Sequence, residues 1–99
     1  MLVRSKVNEY ENLVTIFIEG EFSFGVIREF HDYYRDLNGF KFVIDLRKVN
    51  YIDSAGLGML LNMHNYLGQR NGSICITNVL PQVKKILYIS RFDRKFTIK

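Results

Sequence analysis

Phe42-Val43-Ile44-Asp45-Leu46, a short connection, and then Asp53-Ser54-Ala55-Gly56-Leu57-Gly58 form the stretch that decides how this chain folds. The first run is too apolar on both faces for an edge strand. It reads as a central strand with cover on at least part of both sides. The second run opens the best amphipathic helix of the sequence, in which Leu57, Leu60, Leu61, His64 and Leu67 recur at the spacing of one helical face. Gly68 and Asn71-Gly72 mark its end. Ser54 thus stands at a strand–helix junction, its hydroxyl near the positive end of the helix. A phosphate there would meet free backbone N–H groups and a favourable dipole.

Outward from this unit the pattern continues to alternate. Residues 2–7 set Val3, Ser5 and Val7 against Arg4 and Lys6, as in an edge strand, and residues 8–12 are polar and turn-like. Leu13-Val14-Thr15-Ile16-Phe17-Ile18 is a strand that Gly20 ends. Ser23 offers an N-cap for a helix running to about Leu37, with Val26, Ile27, Phe30, Tyr33, Tyr34 and Leu37 on one face and Asn38-Gly39 as its stop. Past the central unit, residues 73–77 form a short strand. Pro81 then starts a third helix, turning Val83, Ile86 and Leu87 inward and Lys84 and Lys85 to water. Residues 94–98 supply a last strand. The order β-β-α-β-α-β-α-β predicts an α/β sandwich, with a mixed, partly parallel sheet of four or five strands, about three main helices and right-handed crossovers. Residues 1–99 read as one domain.

Composition narrows the class. The chain is 47% hydrophobic, enough for a core, and its single Pro argues against a disordered linker. One cysteine excludes an internal disulfide, and Cys75 between Ile74 and Ile76 reads as a buried, inert thiol. His31 and His64 stand alone, so no metal spacing is visible and no cofactor is implied. The first residues lack the apolar core of a signal peptide and no run reaches membrane-spanning length, which reads as intracellular and soluble. The net charge of +4 is uneven: residues 84–99 hold six basic residues against Asp93 alone. A solvated helix face plus a terminal strand is the plainest reading. A docking surface for an acidic partner is the next. Nucleic acid is the weakest, since no binding motif accompanies the cluster.

Enzymatic chemistry fits poorly. Ser54 lies in Asp-Ser-Ala-Gly rather than the Gly-x-Ser-x-Gly elbow of a hydrolase nucleophile. His64 falls on the buried stripe about 15 Å along the helix axis, and His31 reads as a helix-surface residue. Gly56, Gly58 and Gly68 do not make Gly-x-Gly-x-x-Gly, and no Gly-Lys-Ser/Thr is present. The glycines instead allow close approach of a backbone or a partner. Asp53 reads as a capping carboxylate, or as a group that orients the Ser54 hydroxyl or serves kinase recognition. Ser54 is itself a cap or a phosphoacceptor. The two are compatible, because phosphorylation places about −1.5 to −2 charges at the same N–H groups. The helix end tolerates this charge; Asp53 and an apolar or acidic partner do not. Phe22 and Phe24, framing Ser23, are core residues or, if one is exposed beside Ser54, the aromatic anchor of an interface.

These residues resemble a STAS domain, the fold of sulfate-transporter tails and anti-sigma factor antagonists, over nearly the whole chain. The likeness rests on Glu19-Gly20-Glu21-Phe22, on Phe42-Val43-Ile44-Asp45-Leu46, on Tyr51-Ile52-Asp53-Ser54-Ala55-Gly56-Leu57-Gly58, and on Val79-Leu80-Pro81-Gln82-Val83-Lys84-Lys85-Ile86-Leu87. It implies a non-enzymatic, cytoplasmic bacterial phosphoprotein. In antagonists of this family a cognate serine kinase phosphorylates the serine directly after that aspartate, which corresponds to Ser54. The unphosphorylated form binds an anti-sigma factor, often the kinase itself, and so frees a sigma factor for transcription. A PP2C-type phosphatase reverses the modification. Single-domain relatives with a segment like Phe22-Ser23-Phe24-Gly25 act in partner switching that controls biofilm or surface behaviour.

The implied docking edge is Asp53, Ala55, Gly56, Leu57, Gly58 and Met59, with Phe22, Ser23 and Phe24 of the preceding turn. No cofactor or metal is implied, direct nucleic-acid binding is not expected, and a monomer is favoured. The chain departs from the family pattern twice. Ala55 stands where many antagonists carry a second hydroxyl residue, leaving Ser54 as the acceptor. Ser23 replaces the usual acidic residue of its turn, which alters any partner contact that acid would make. The alternative is a STAS scaffold or small-ligand sensor that uses the same edge without phosphorylation.

Overall fold

The three inner strands carry their fully buried apolar residues on one side, and that asymmetry sets the architecture. The computed structural model describes residues 2–37, 39–67 and 74–99. Its elements are β1 (Leu2–Asn8), β2 (Leu13–Phe22), a 3-10 turn (Phe24–Val26), α1 (Ile27–Asp32), β3 (Lys41–Ile52), α2 (Ser54–Tyr66), β4 (Ile74–Thr77), α3 (Pro81–Ile89), a second 3-10 turn (Phe92–Arg94) and β5 (Thr97–Ile98). The strands lie in the order β1-β2-β3-β4-β5, with β1 antiparallel to β2 and every other pair parallel. The mixed, mostly parallel sheet and the central place of β3 are as the sequence predicts.

Each parallel neighbour is reached through a helical crossover, and the successive crossovers step the same way across the sheet. Right-handed crossovers that step one way stack their helices on a single face. Burial agrees. Val14, Ile16 and Ile18 of β2, Phe42 and Ile44 of β3, and Ile74 and Ile76 of β4 are buried. The residues alternating with them (Leu13, Thr15, Phe17, Val43, Cys75, Thr77) are only half-buried. The second side of β3 is thus covered only in part, with Val43 half-buried, and Cys75 on the neighbouring strand is half-buried on that same side. Asp45 is the exception on that side, buried within its own hydrogen bonds to Arg47 and Asn78.

Between sheet and helices the core is aromatic at one end. Phe22, Phe30 and Tyr34 pack edge to face, with centroids 5.4 and 5.6 Å apart. Phe92 and Phe96 stack at 5.5 Å near the C-terminus. The buried face of α2 is Gly56, Met59, Leu60, Met63 and His64, whereas Leu57, Leu61 and Leu67 are half-buried. The helix is thus rotated from the predicted leucine stripe. Apolar residues occur nearly all round it, so its rotation is set by the tight packing of its first turn, described below. Along α3, Val83 and Leu87 point inward as expected, while Lys84 is half-buried.

Several boundaries move. Gly20 does not end β2: it takes φ 97° within the strand, and pairing continues to Phe22 through register shifts on either side. The short connection after residue 46 is strand too, because β3 runs on beside the end of β2 to Ile52. The helix expected from Ser23 to Leu37 is α-helical only over α1, followed by turns. Ser23 makes no capping bond; its hydroxyl donates to Asp53 instead. Ile27 is 43% exposed rather than inward. The last strand shrinks to two residues, because Phe92–Arg94 winds into a turn first. The expected signals at Asn38, Gly68, Asn71-Gly72 and Ser73 lie outside the described residues.

His64 is buried against the ring of Phe96, 5.6 Å away, with neither ring nitrogen hydrogen-bonded to a described residue. A buried polar group without a partner is destabilising, so His64→Leu is expected to raise unfolding free energy by about 1 kcal/mol. Urea denaturation at unchanged slope measures this; a lower midpoint would contradict it.

Candidate functional site

Where β3 ends, Asp53 adopts extended geometry (φ −122°, ψ −170°) and becomes the N-cap of α2. Its Oδ1 accepts the backbone N–H groups of Ala55 at 3.0 Å and Gly56 at 3.1 Å, satisfying donors that the first helical turn otherwise leaves free. Its Oδ2 accepts the Ser23 hydroxyl at 2.5 Å. That hydroxyl, the Gly56 N–H and, to a lesser extent, the Ala55 N–H hold the Asp53 carboxyl below the usual carboxylate range, against an opposing effect of desolvation. Capping by Asp53 is thus observed, and no hydrogen bond joins it to the Ser54 hydroxyl.

Ser54 is consequently not a cap. It is the first residue of α2, exposed, with a hydroxyl that makes no hydrogen bond to the described residues. Neither histidine engages it: His64 is buried, and the His31 ring lies against Tyr34 and Tyr66 at 5.2 and 5.8 Å.

Gly56 explains how the two segments meet. A Cβ built on it would lie 2.2 Å from the Phe22 carbonyl oxygen and 2.7 Å from Ile52 Cγ1. The first turn of α2 therefore rests directly on the backbone at the end of β2. Its close approach is internal, while Gly58 faces open space. The hydrogen bond from Ser23 to Asp53 fastens the same two segments side chain to side chain.

The expected docking edge divides by depth. Phe22, Gly56 and Met59 are buried, so they support the edge from beneath and do not present side chains to a partner. Burial of Met59 follows from the rotation of α2, and burial of Phe22 from its packing on Phe30. Ser23, Asp53, Ala55, Leu57 and Gly58 are half-buried, and Phe24 is 74% exposed. The alternatives for the two phenylalanines thus separate: Phe22 is core and Phe24 is free to act as an anchor. Sequence reasoning missed Ile27, which shares this side with Phe24 and lines a groove of about 270 Å³ with Arg28, Phe30, His31, Met59 and Asn62. Its helical spacing pointed inward, but it stands at the first position of α1 and is exposed. Tyr51, 48% exposed and two residues before Asp53, was also passed over, although it stands in the quoted motif.

Among the described residues no helix is long and apolar enough to cross a membrane. A family model described as STAS domain matches residues 4–99. A STAS-domain containing protein of Pseudomonas aeruginosa is 41% identical over 87 residues, covering 86% of this chain and 86% of that protein. An anti-sigma F factor antagonist of Paenibacillus polymyxa is 31% identical over 48 residues, covering 48% of this chain and 41% of that protein. Two solved structures share the fold. One is a candidate anti-sigma factor antagonist of Thermotoga maritima, with TM-score 0.81 at 21% identity over 97% of this chain and 84% of that one. The other is the anti-sigma factor antagonist SpoIIAA in its unphosphorylated form, with TM-score 0.72 at 13% identity over 99% of this chain and 87% of that one.

Two glycines two residues apart are expected to respond oppositely. Gly56→Ala forces the backbone of β2 and α2 apart and should cost about 3 kcal/mol. Gly58→Ala meets no neighbour and should add about 0.5–1 kcal/mol through helix propensity. Thermal or urea unfolding of both variants checks the pair.

Asp53 also sets a pH dependence. Its folded carboxyl titrates below the unfolded value, so its stabilisation is complete above that value and is lost as pH falls through the folded one. The stability advantage of wild type over Asp53→Asn should therefore be constant near neutrality and shrink below about pH 4. An advantage that grows on acidification would contradict the capping geometry.

Proposed function

The chain belongs to the STAS domain family, and from that premise we propose that it is a phosphorylation-controlled partner switch of the anti-sigma factor antagonist kind. The observation that carries this reading is the exposed, unengaged Ser54 hydroxyl at the first position of α2, beside a capping carboxylate and on the same edge as the exposed Phe24. In the unphosphorylated state, Phe24, Leu57 and the backbone around Ala55 and Gly58 form a mostly apolar edge. An anti-sigma factor that is also the serine kinase docks there.

Phosphate on Ser54 would add about −1.5 to −2 charges. The N-terminus of α2 receives this charge favourably, so the domain stays folded. The surface does not stay neutral, because the phosphate adds to the negative charge of Asp53 and repels an apolar or acidic partner. Binding would then be lost through charge and desolvation rather than unfolding. A PP2C-type phosphatase resets the switch, and the chain itself performs no catalysis. Such exchange takes place in the bacterial cytoplasm, with residues 1–99 acting as one unit. Signalling outputs such as biofilm control fit this mode.

The groove beside Ile27 favours a second reading, a small-ligand sensor or scaffold that works without phosphorylation. Intact mass after incubation with ATP and lysate of the source bacterium separates the two. Wild type should gain about 80 Da, one phosphate, and Ser54→Ala should gain nothing. In pull-downs Ser54→Ala should retain the partner, and Ser54→Asp should bind roughly tenfold more weakly. Equal binding by both variants would refute the electrostatic switch.

A further inference from the structure

The side of the sheet turned away from the helices is a second surface, built differently from the Ser54 edge. The outer face of a sheet covered on one side is ordinarily polar. Here its centre is apolar: Leu13, Phe17, Val43 and Cys75 are half-buried there, with Thr15 and Thr77 between them. Its rim is basic. Arg4 and Lys6 on β1 and Lys41, Arg47 and Lys48 on β3 are all exposed.

Three acids share the face with these five cations, and one of the acids is engaged internally. Asp45 accepts from Arg47 Nη2 at 3.0 Å, Arg47 Nε at 3.2 Å and Asn78 Nδ2 at 3.0 Å. Burial pushes its carboxyl up, but these bonds and the Arg47 charge outweigh that and leave it below the usual carboxylate range. Glu19 and Glu21 are the others. Arg4 lies over the Phe17 ring, its guanidinium carbon 5.6 Å from the centroid. Neither Arg4 nor Lys48 forms an ion pair with a described carboxylate. The register shift between Phe17 and Glu19 coincides with a cleft of about 250 Å³ to which both cations contribute walls.

An apolar centre inside a charged rim is the anatomy of a protein–protein interface. We propose that this open face docks an acidic segment of a partner protein, its apolar side chains over Phe17 and Val43 and its carboxylates on Arg4 and Lys48. Charge decides the class of occupant. A second copy of this chain would bring like charges together. Nucleic acid would need a row of rings on which to stack bases, and the centre offers Phe17 alone, one side of it already covered by Arg4. Because α2 lies on the opposite side of the sheet, this docking is independent of the Ser54 reading.

NMR titration of the isotope-labelled chain tests it, with a synthetic peptide in which Glu and Asp alternate with Val and Leu as the probe. Shifts should concentrate on Thr15, Phe17, Val43 and Thr77. Combined Arg4→Ser and Lys48→Ser should weaken binding roughly tenfold, since both side chains are exposed rim cations. Combined Lys84→Ser and Lys85→Ser should leave it unchanged. Shifts that map to α3, equal loss in the two double variants, or no binding at low salt would overturn the proposal. Tighter binding of oligothymidylate at the same strand positions would also overturn it, by reassigning the face to nucleic acid.

Discussion

Between Gly56 and the carbonyl oxygen of Phe22 there is no room for a side chain, and much of the structure follows from that contact. A Cβ at residue 56 would sit 2.2 Å from the oxygen and 2.7 Å from Ile52. With hydrogen in its place, α2 seats its first turn on the end of β2, and its rotation about its own axis is determined. Residues three, four and seven positions on (Met59, Leu60, Met63) then face the core together. The same seating brings Asp53 within reach of Ser23, so one close packing contact supports one strong hydrogen bond. Ser54, immediately beside these anchored groups, is left outside them.

That division between anchored and free groups gives the edge its chemical character. Asp53 is fully committed to three donors, two from the helix and one from the neighbouring turn. Ser54 is committed to none. A charge added at Ser54 therefore meets a rigid, already negative neighbour rather than a side chain able to swing away. Phe24 follows Ser23 directly, so the bond that holds Ser23 also limits where the exposed ring can go. The Ser23 hydroxyl bonds to a carboxylate that an acid at this position would repel.

The sheet imposes a second constraint. Its strands follow one another across the sheet in chain order, so the crossover helices gather on one side and leave the other open. The helix side carries the large buried core and the Ser54 edge. The open side must satisfy water with the same strands, and it does so with a basic rim and a buried Asp45 held by the exposed Arg47 rather than a fully polar surface. The two layers of one small domain thus present surfaces of different charge and different polarity.

Local chemistry was legible in the sequence. The β-branched run at residues 42–46, the acid and small residues opening α2 and the Pro at the start of α3 name their elements, because periodicity and capping act over one or two turns. Motif identity likewise marked Ser54 and Asp53. What tertiary structure decided depends on contacts distant along the chain. Gly20 became a bulge rather than a strand end because β3 continues alongside it to Ile52. Ser23 became a tether rather than a cap, its hydroxyl donating to Asp53 thirty residues on. Phe22 and Phe24 look alike in sequence, and Met59 looks like an edge residue, until the seating of Gly56 turns each toward core or solvent. Sequence patterning sets which residues can be buried; only the packing of β2 against α2 selects which of them are.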